Sequence, residues 1–311
     1  MSAPKIAFCF PGQGSLEAGM GREIALAVPA AMEVYERASE ASGLDLVRLC
    51  FEAPEEELVH TEVQQPALVA TSLAVLAALR ENGFEPNVVV GHSVGEFAAL
   101  AASGALSNDD AIRLVRERGL AMAEAARENP GSMAAILGLA DEVVEALCAK
   151  IANVWPANYN CPGQIVISGQ SPSVEECCSE AELQGARRTV KLRVSGAFHS
   201  PLVARAAEHL RPALERAKFS DPIAPFMSTV TAKIEPAQRM AALLVEQLTA
   251  PVKFTQAARE LMRQGVKVFV EVGPGNVLTG LLKRIDRSVK AIPVNSMGSL
   301  EKLEQALSSS P

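Results

Sequence analysis

"VVVGHSVGEFAALAASGAL", residues 88–106, passes from a β-branched triplet through a serine between two glycines into an alanine-rich amphipathic stretch. Val88, Val89 and Val90 read as the end of a buried strand, bounded upstream by Pro86 and Asn87. Residues 94–103 read as a helix: Phe97, Leu100 and Ala101 are spaced to face a core, and Gly104 lies just past the end. Gly91 and Gly95 let two backbones pass closely in the turn between strand and helix. This is the Gly-x-Ser-x-Gly pattern of a nucleophile elbow, which projects Ser93 at a helix N-terminus. An ordinary strand-to-helix turn with a serine N-cap uses the same residues. The pentapeptide leaves both readings open.

A chain of 311 residues can hold one large α/β domain, or a large domain plus a small one. Hydrophobic residues make up 49% and aromatic ones only 4%, so the core is expected to be built from Ala, Val and Leu. A net charge of −7 argues against a nucleic-acid partner. The opening "MSAPKIAFCF" has neither a basic n-region nor a long apolar run, so no secretory signal is expected. No stretch reads as approaching the roughly 18 apolar residues of a membrane span. The expectation is a soluble, cytoplasmic protein with no membrane partner.

Six cysteines (Cys9, Cys50, Cys148, Cys161, Cys177, Cys178) show no CxxC spacing and read as reduced thiols, mostly core filler. The four histidines form no ligand pair at helical spacing, and no metal site is expected. "GQGSLE" from Gly12 and "GPGNVL" from Gly273 both lack the third glycine of a dinucleotide fingerprint, and no Gly-Lys-Ser/Thr follows either. No cofactor is expected.

"KIAFCF", residues 5–10, is a buried strand running into a Pro-Gly-Gln-Gly loop. Strand-like runs recur at 87–90, 224–230, 266–272 and 289–294, separated by segments long enough for helices, which argues for a parallel, helix-covered sheet. The segment 130–195 reads differently. "MAAILG" is a strand, "DEVVEALCAKI" a helix, and "NVWPANY" and "QIVISG" two strands. "SVEECCSEAELQG" is a helix opened by a Ser173–Glu176 capping box, and "RTVKLRV" a last strand. The order β-α-β-β-α-β is the split βαβ of ferredoxin-like folds. A small subdomain, 130–195, is therefore expected as an insertion into a larger α/β subdomain, 1–129 and 196–311, with a cleft between them. The "SSSP" tail is expected to be disordered.

A serine hydroxyl attacks poorly until a base removes its proton. His92, the immediate neighbour in the elbow, directs its side chain away from Ser93. His60 follows the acidic "APEEELV" and His209 lies in the charged, helical "VARAAEHL"; both read as solvated. His199, in "VSGAFHSPLV", lies where the small subdomain returns to the large one, among small residues that suit a functional loop. It is the best candidate base, the rival reading being a histidine that caps the next helix.

"FPGQGS" at 10–15, "GHSVGE" at 91–96, "RG" at 118–119, "ANYN.PGQIVISG" at 157–169, "GAFHSPLV" at 196–203 and "VEVGPGNVL" at 270–278 resemble the malonyl-CoA:acyl carrier protein transacylases. That family includes stand-alone fatty-acid enzymes and the acyltransferase domains of polyketide synthases. The resemblance covers about residues 6–294. It implies an α/β-hydrolase-like large subdomain carrying a ferredoxin-like small one, which agrees with the strand and helix order.

The resemblance also implies roles. Ser93 takes the acyl group as an ester and His199 is the base. Gln13 and Val94 supply backbone N–H groups as an oxyanion hole. The family has no acidic third member; a main-chain carbonyl orients its histidine, and Gln247 stands at the matching place. Asn160 matches an asparagine near the active site, although an asparagine ending a hairpin turn reads equally well. Arg118 would bind the malonyl carboxylate with its planar fork. Periodicity alone cannot choose between Arg118 and Arg116, which flank the buried stripe Ile112, Val115, Gly119 and Met122 on opposite sides. Phe198 stands where some relatives have serine, and a phenylalanine there goes with malonyl over methylmalonyl. The implied reaction is a ping-pong transfer from malonyl-CoA to holo acyl carrier protein supplied in trans. Such carriers are acidic, and the run "ARRTVKLR", 186–193, offers cations to them; charge that protects an edge strand is the plainer reading. A serine hydrolase with the same elbow, or an idle carrier-binding scaffold, are the competing functions.

Overall fold

The computed structural model describes residues 4–308. Its larger sheet contains β1 (Lys5–Phe10), β2 (Val88–Gly91) and, beyond the inserted unit, four later strands. The inserted unit supplies β3 (Ser132–Leu137), β4 (Val154–Cys161), β5 (Gln164–Gly169) and β6 (Arg188–Lys191). The large sheet resumes with β7 (Phe226–Ser228), β8 (Lys233–Glu235), β9 (Val266–Val272) and β10 (Lys290–Val294). Its order is β10-β9-β1-β2-β7-β8, parallel throughout except for the antiparallel β7–β8 pair. Central β1 and β2 are buried on both faces and carry continuous apolar runs, as parallel strands covered by helices do.

The second sheet is antiparallel with order β4-β5-β3-β6. Helices Asp141–Lys150 and Ser171–Leu183 are the two crossovers of the split βαβ. The whole is the α/β fold with a ferredoxin-like insertion that the element order led us to expect. Three local expectations need correction. The Ser171–Leu183 helix starts at the Ser171–Pro172 pair, with Gln170 as N-cap, so Ser173 is already inside the helix and caps nothing. Proline at the first turn has a preset φ and no N–H to satisfy, which moves the start upstream. The run 224–230 shrinks to three strand residues, and β8 has no sequence signal, because three residues are too few to show a period.

The Thr61–Glu81 helix is the third correction: it is long and apolar enough to span a bilayer. Its residues are instead buried nearly all round, against helices Pro29–Ser42 and Asn108–Glu128. An all-round apolar helix is what the centre of a large core requires. In the "SSSP" tail, Ser308 closes the Met297–Ser308 helix, and 309–311 lie outside the described residues.

The parallel sheet sets up the site by bringing its carboxyl ends together. Gln13 follows β1, Ser93 follows β2 and Thr229 follows β7. The small sheet is tied to this edge by a parallel bridge: Tyr159 N–H donates to the Val252 carbonyl and Val252 N–H to that of Ala157, both at 2.8 Å.

Candidate active site

Between β2 and the Gly95–Ala102 helix the chain turns sharply, and Ser93 sits in the left-handed region at φ 52°. For a non-glycine residue this costs about 1–3 kcal/mol, and it is the strained geometry of a nucleophile elbow. Both flanking glycines are required. A Cβ on Gly91 would collide with the backbone of Gly95 and Glu96, and one on Gly95 with the Phe10 carbonyl. His92 N–H donates to the Phe10 carbonyl at 2.9 Å, which stitches the elbow to the β1 loop bearing Gln13.

His199 Nε2 lies 2.8 Å from Ser93 Oγ. Its Nδ1 faces two carbonyl oxygens, Gln247 at 2.9 Å and Ala250 at 3.2 Å. Carbonyls only accept, so Nδ1 carries the proton and Nε2 presents a lone pair to the serine hydroxyl. Burial, with Arg118 nearby adding to it, pushes the imidazole down to about 3, which keeps it neutral at ordinary pH. Where a hydrolase triad has a carboxylate, this histidine has main-chain carbonyls. His92 turns away as expected: its Nε2–H donates to Asn160 Oδ1 at 2.9 Å. Asn160 lies within β4 rather than at a hairpin turn, so it joins the small sheet to the elbow. His60 and His209 are exposed.

Arg118 is fully buried, directly behind Ser93. Its Nη2 donates to Ser93 Oγ at 3.2 Å and to Gln247 Oε1 at 2.9 Å, and its Nη1 to Gln65 Oε1 at 2.7 Å. Its Nε has no partner among the described residues. Burial draws the guanidinium down to about 10, with Glu96 opposing, so it stays charged at neutral pH. Arg116 instead reaches a backbone carbonyl, that of Glu62. Gly119 explains the Arg-Gly pair: a Cβ there would come within 3.0 Å of the backbone at Thr61 and Glu62. Its absence lets the Asn108–Glu128 helix approach the start of the Thr61–Glu81 helix, where Gln65 meets Arg118.

Sequence reasoning missed three participants. Glu96 is fully buried; its Oε1 accepts from Thr229 N–H at 2.6 Å and from Thr229 Oγ1–H at 2.8 Å, and its Oε2 accepts from Gln247 Nε2. Burial raises its carboxyl to about 7, against the pull of these donors and of Arg118. An acid in the otherwise apolar "GEFAALAA" was the available signal; Gln65 and Thr229 gave none. Gln247 does more than lend its carbonyl, since its Nε2 also donates to the Ser93 carbonyl at 3.0 Å.

Ser93, His199, Gln13, Asn160 and Phe198 line a cleft of about 390 Å³ between the two sheets. A larger cavity, about 720 Å³, adjoins it across Gln13, Gly14, Gln64, Arg193 and Val194. Gln13 is pinned at this partition: its Nε2 donates to Gln64 Oε1 at 2.7 Å, and Gln64 Nε2 donates to its carbonyl at 3.2 Å. Val94 opens the helix after Ser93, where N–H groups have no intrahelical acceptor.

Residues 7–308 match the family model described as the acyl transferase domain. The chain is 44% identical over 308 residues to the malonyl CoA-acyl carrier protein transacylase of Bacillus subtilis (strain 168), covering 97% of each chain. It is 39% identical to the protein of the same name from Haemophilus influenzae, covering 97% of this chain and 99% of that one. Among solved structures, the acyl-carrier-protein-S-malonyltransferase of Bartonella henselae superposes with a TM-score of 0.94 at 38% identity, covering 98% and 99% of the two chains. A malonyl-transacylase, PlMCAT, solved in complex with the type II polyketide synthase carrier protein AntF, gives 0.94 at 39% identity, covering 97% and 99%. With the elbow serine, its histidine and the match over nearly the full length in agreement, the chain belongs to the acyl transferase domain family.

Proposed function

We propose that this protein transfers a malonyl group from malonyl-CoA to the phosphopantetheine thiol of holo acyl carrier protein, through a malonyl ester on Ser93. One observation carries the reading: Ser93 Oγ is 2.8 Å from a neutral histidine and 3.2 Å from a buried guanidinium. A nucleophile, its base and a fixed cation meet at one atom.

His199 Nε2 takes the Oγ proton as Oγ attacks the thioester carbonyl. The N–H groups of Gln13 and Val94 receive the oxyanion. The thioester C–S bond breaks and the CoA sulfur leaves with the proton from His199. The carrier thiol then gives its proton to His199 and attacks the ester, and Ser93 recovers its hydrogen. Arg118 holds the malonyl carboxylate, for which its unpartnered Nε is a further donor. Phe198, buried beside His199, narrows the cleft against an α-methyl branch. Delivery of the carrier as a separate protein is supported by the PlMCAT–AntF complex. Six free cysteines support a reducing, cytoplasmic setting.

The test is Arg118→Ala beside Arg116→Ala. Stranding a carboxylate in a desolvated pocket typically costs about 2–5 kcal/mol, so Arg118→Ala should lower malonyl kcat/KM by roughly thirty- to several-thousand-fold. Acetyl-CoA, whose acyl group brings no carboxylate, should acylate at an unchanged or higher rate. Arg116→Ala should stay near wild type. If neither change alters the malonyl-to-acetyl ratio, carboxylate recognition by this helix is wrong.

Arg187 and Arg188 are exposed where β6 forms the edge of the small sheet, while Lys191 on the same strand pairs with Glu175 at 3.2 Å. We read this edge as the landing surface for an acidic carrier. Reversing both arginines to glutamate should raise the KM for the carrier, steeply so at low salt, and leave that for malonyl-CoA nearly unchanged. An unaltered carrier KM would leave the charges as edge protection alone.

A further inference from the structure

We infer that Glu96 is a positioning residue for malonyl selectivity, setting through the Gln247 amide which end of that amide faces Arg118. The inference rests on the malonyl reading above and extends it to a residue that touches neither acyl group nor base.

Donors and acceptors around the Gln247 amide form a closed circuit. An ionised carboxylate only accepts. Oε1 of Glu96 is occupied by the N–H and hydroxyl of Thr229, and the N–H is fixed by the main chain. Oε2 is left for Gln247 and can be met only by the amide nitrogen. That choice directs the second Nε2 hydrogen to the Ser93 carbonyl and turns Oε1 toward Arg118 Nη2. The buried guanidinium thereby gains an acceptor and points at the nucleophile. Reversing the Gln247 amide would set an NH2 against Arg118 and an oxygen against both the Ser93 carbonyl and the Glu96 carboxylate, three mismatches in a buried site.

Neutralising Glu96 forces such a mismatch. A glutamine at 96 must turn its oxygen to Thr229 and its NH2 to the Gln247 NH2, or the reverse. Protonating Glu96 at Oε2 sets an O–H against the same Gln247 NH2, and Oε2, which accepts one hydrogen bond where Oε1 accepts two, is the more basic oxygen. The carboxyl titrates near 7, within reach of an ordinary pH series. The charged group facing it is Arg118 from the Asn108–Glu128 helix. The Thr61–Glu81 helix contributes the neutral Gln65 to this cluster, and the site's histidines, His199 and His92, are both held toward the neutral form by burial. Acid-side loss near neutrality therefore reports on Glu96 and not on the base.

The experiment compares kcat/KM for Ser93 acylation by malonyl-CoA and by acetyl-CoA in wild type, Glu96→Gln and Arg118→Ala, each across pH. In wild type the malonyl-to-acetyl ratio should fall as pH drops through about 7, the acetyl rate staying flat. Glu96→Gln should lower the ratio about ten- to a hundred-fold, the effect of one unsatisfied buried donor, and remove its pH dependence. A wild-type ratio that is constant with pH overturns the inference, and needs no variant to fold. So does a Glu96→Gln enzyme that loses both substrates equally, since that is the mark of a merely structural carboxylate. If Arg118→Ala collapses the ratio while Glu96→Gln preserves it, the malonyl reading stands and the Glu96 inference falls. If Arg118→Ala preserves it, both fall.

Discussion

Ser93→Ala is expected to abolish the malonyl adduct: intact mass after mixing with malonyl-CoA should stay at that of the free chain, and transfer to carrier should drop to background. The change removes one oxygen. Alanine and serine tolerate φ 52° equally poorly, so the elbow keeps its strain and its shape. What disappears is the hydrogen bond to His199 Nε2 and the weaker contact from Arg118 Nη2. Arg118 retains Gln65 and Gln247, and His199 Nδ1 retains its carbonyls, so little is left stranded. Unfolding stability should change by no more than about 1–2 kcal/mol. A full adduct on the alanine variant would remove Ser93 as the nucleophile.

His199→Ala is expected to slow acylation by about three orders of magnitude or more, as loss of the base does in serine triads. The residual rate belongs to the oxyanion site and to binding. Burial holds the imidazole down to about 3, so in wild type the ring is unprotonated throughout the neutral range. With acetyl-CoA as probe, kcat/KM should therefore show no acid limb near the ordinary histidine value of about 6.5. The same depression bears on stability. Between the unfolded value and the folded one, the unfolded chain binds the extra proton, so stability at this group is full above about 6.5 and falls as the solution is acidified. His92→Ala, which removes the bond to Asn160 and the ring contact with Phe254 but nothing that touches Ser93 Oγ, should leave far more activity. If His92→Ala proved the more damaging of the two, the base would have been assigned to the wrong histidine.

Which parts of this were legible beforehand follows from the range of the interactions. The elbow is a local object: strand, glycine, serine, glycine and helix lie within a dozen residues, and the backbone crowding that demands both glycines acts across the same turn. β9 falls on 266–272 as the sequence predicts, because five Val and Phe residues within seven positions suffice to define a buried strand. β8 and the start of the Ser171–Leu183 helix were misread or unseen, being too short or capped by proline rather than by a side chain.

The hydrogen-bonded circuit around Ser93 is of the other kind. Ser93, Arg118, His199 and Gln247 come from four separate segments, and their hydrogen bonds span up to 154 positions. Arg116 and Arg118 are equivalent by helical period; Arg118 is the buried one because Gly119 admits the neighbouring helix and the packed core turns that face to the elbow. Sequence by itself determined the layered α/β fold, the inserted split βαβ and the serine at a strand's carboxyl end, since periodicity and turn chemistry act between near neighbours. Only the tertiary structure decided which nitrogen of His199 carries the proton, which arginine reaches Ser93, and that Glu96 stands behind both. Those outcomes depend on donors and acceptors meeting across a buried space, where each group's role is set by whatever the fold brings opposite it.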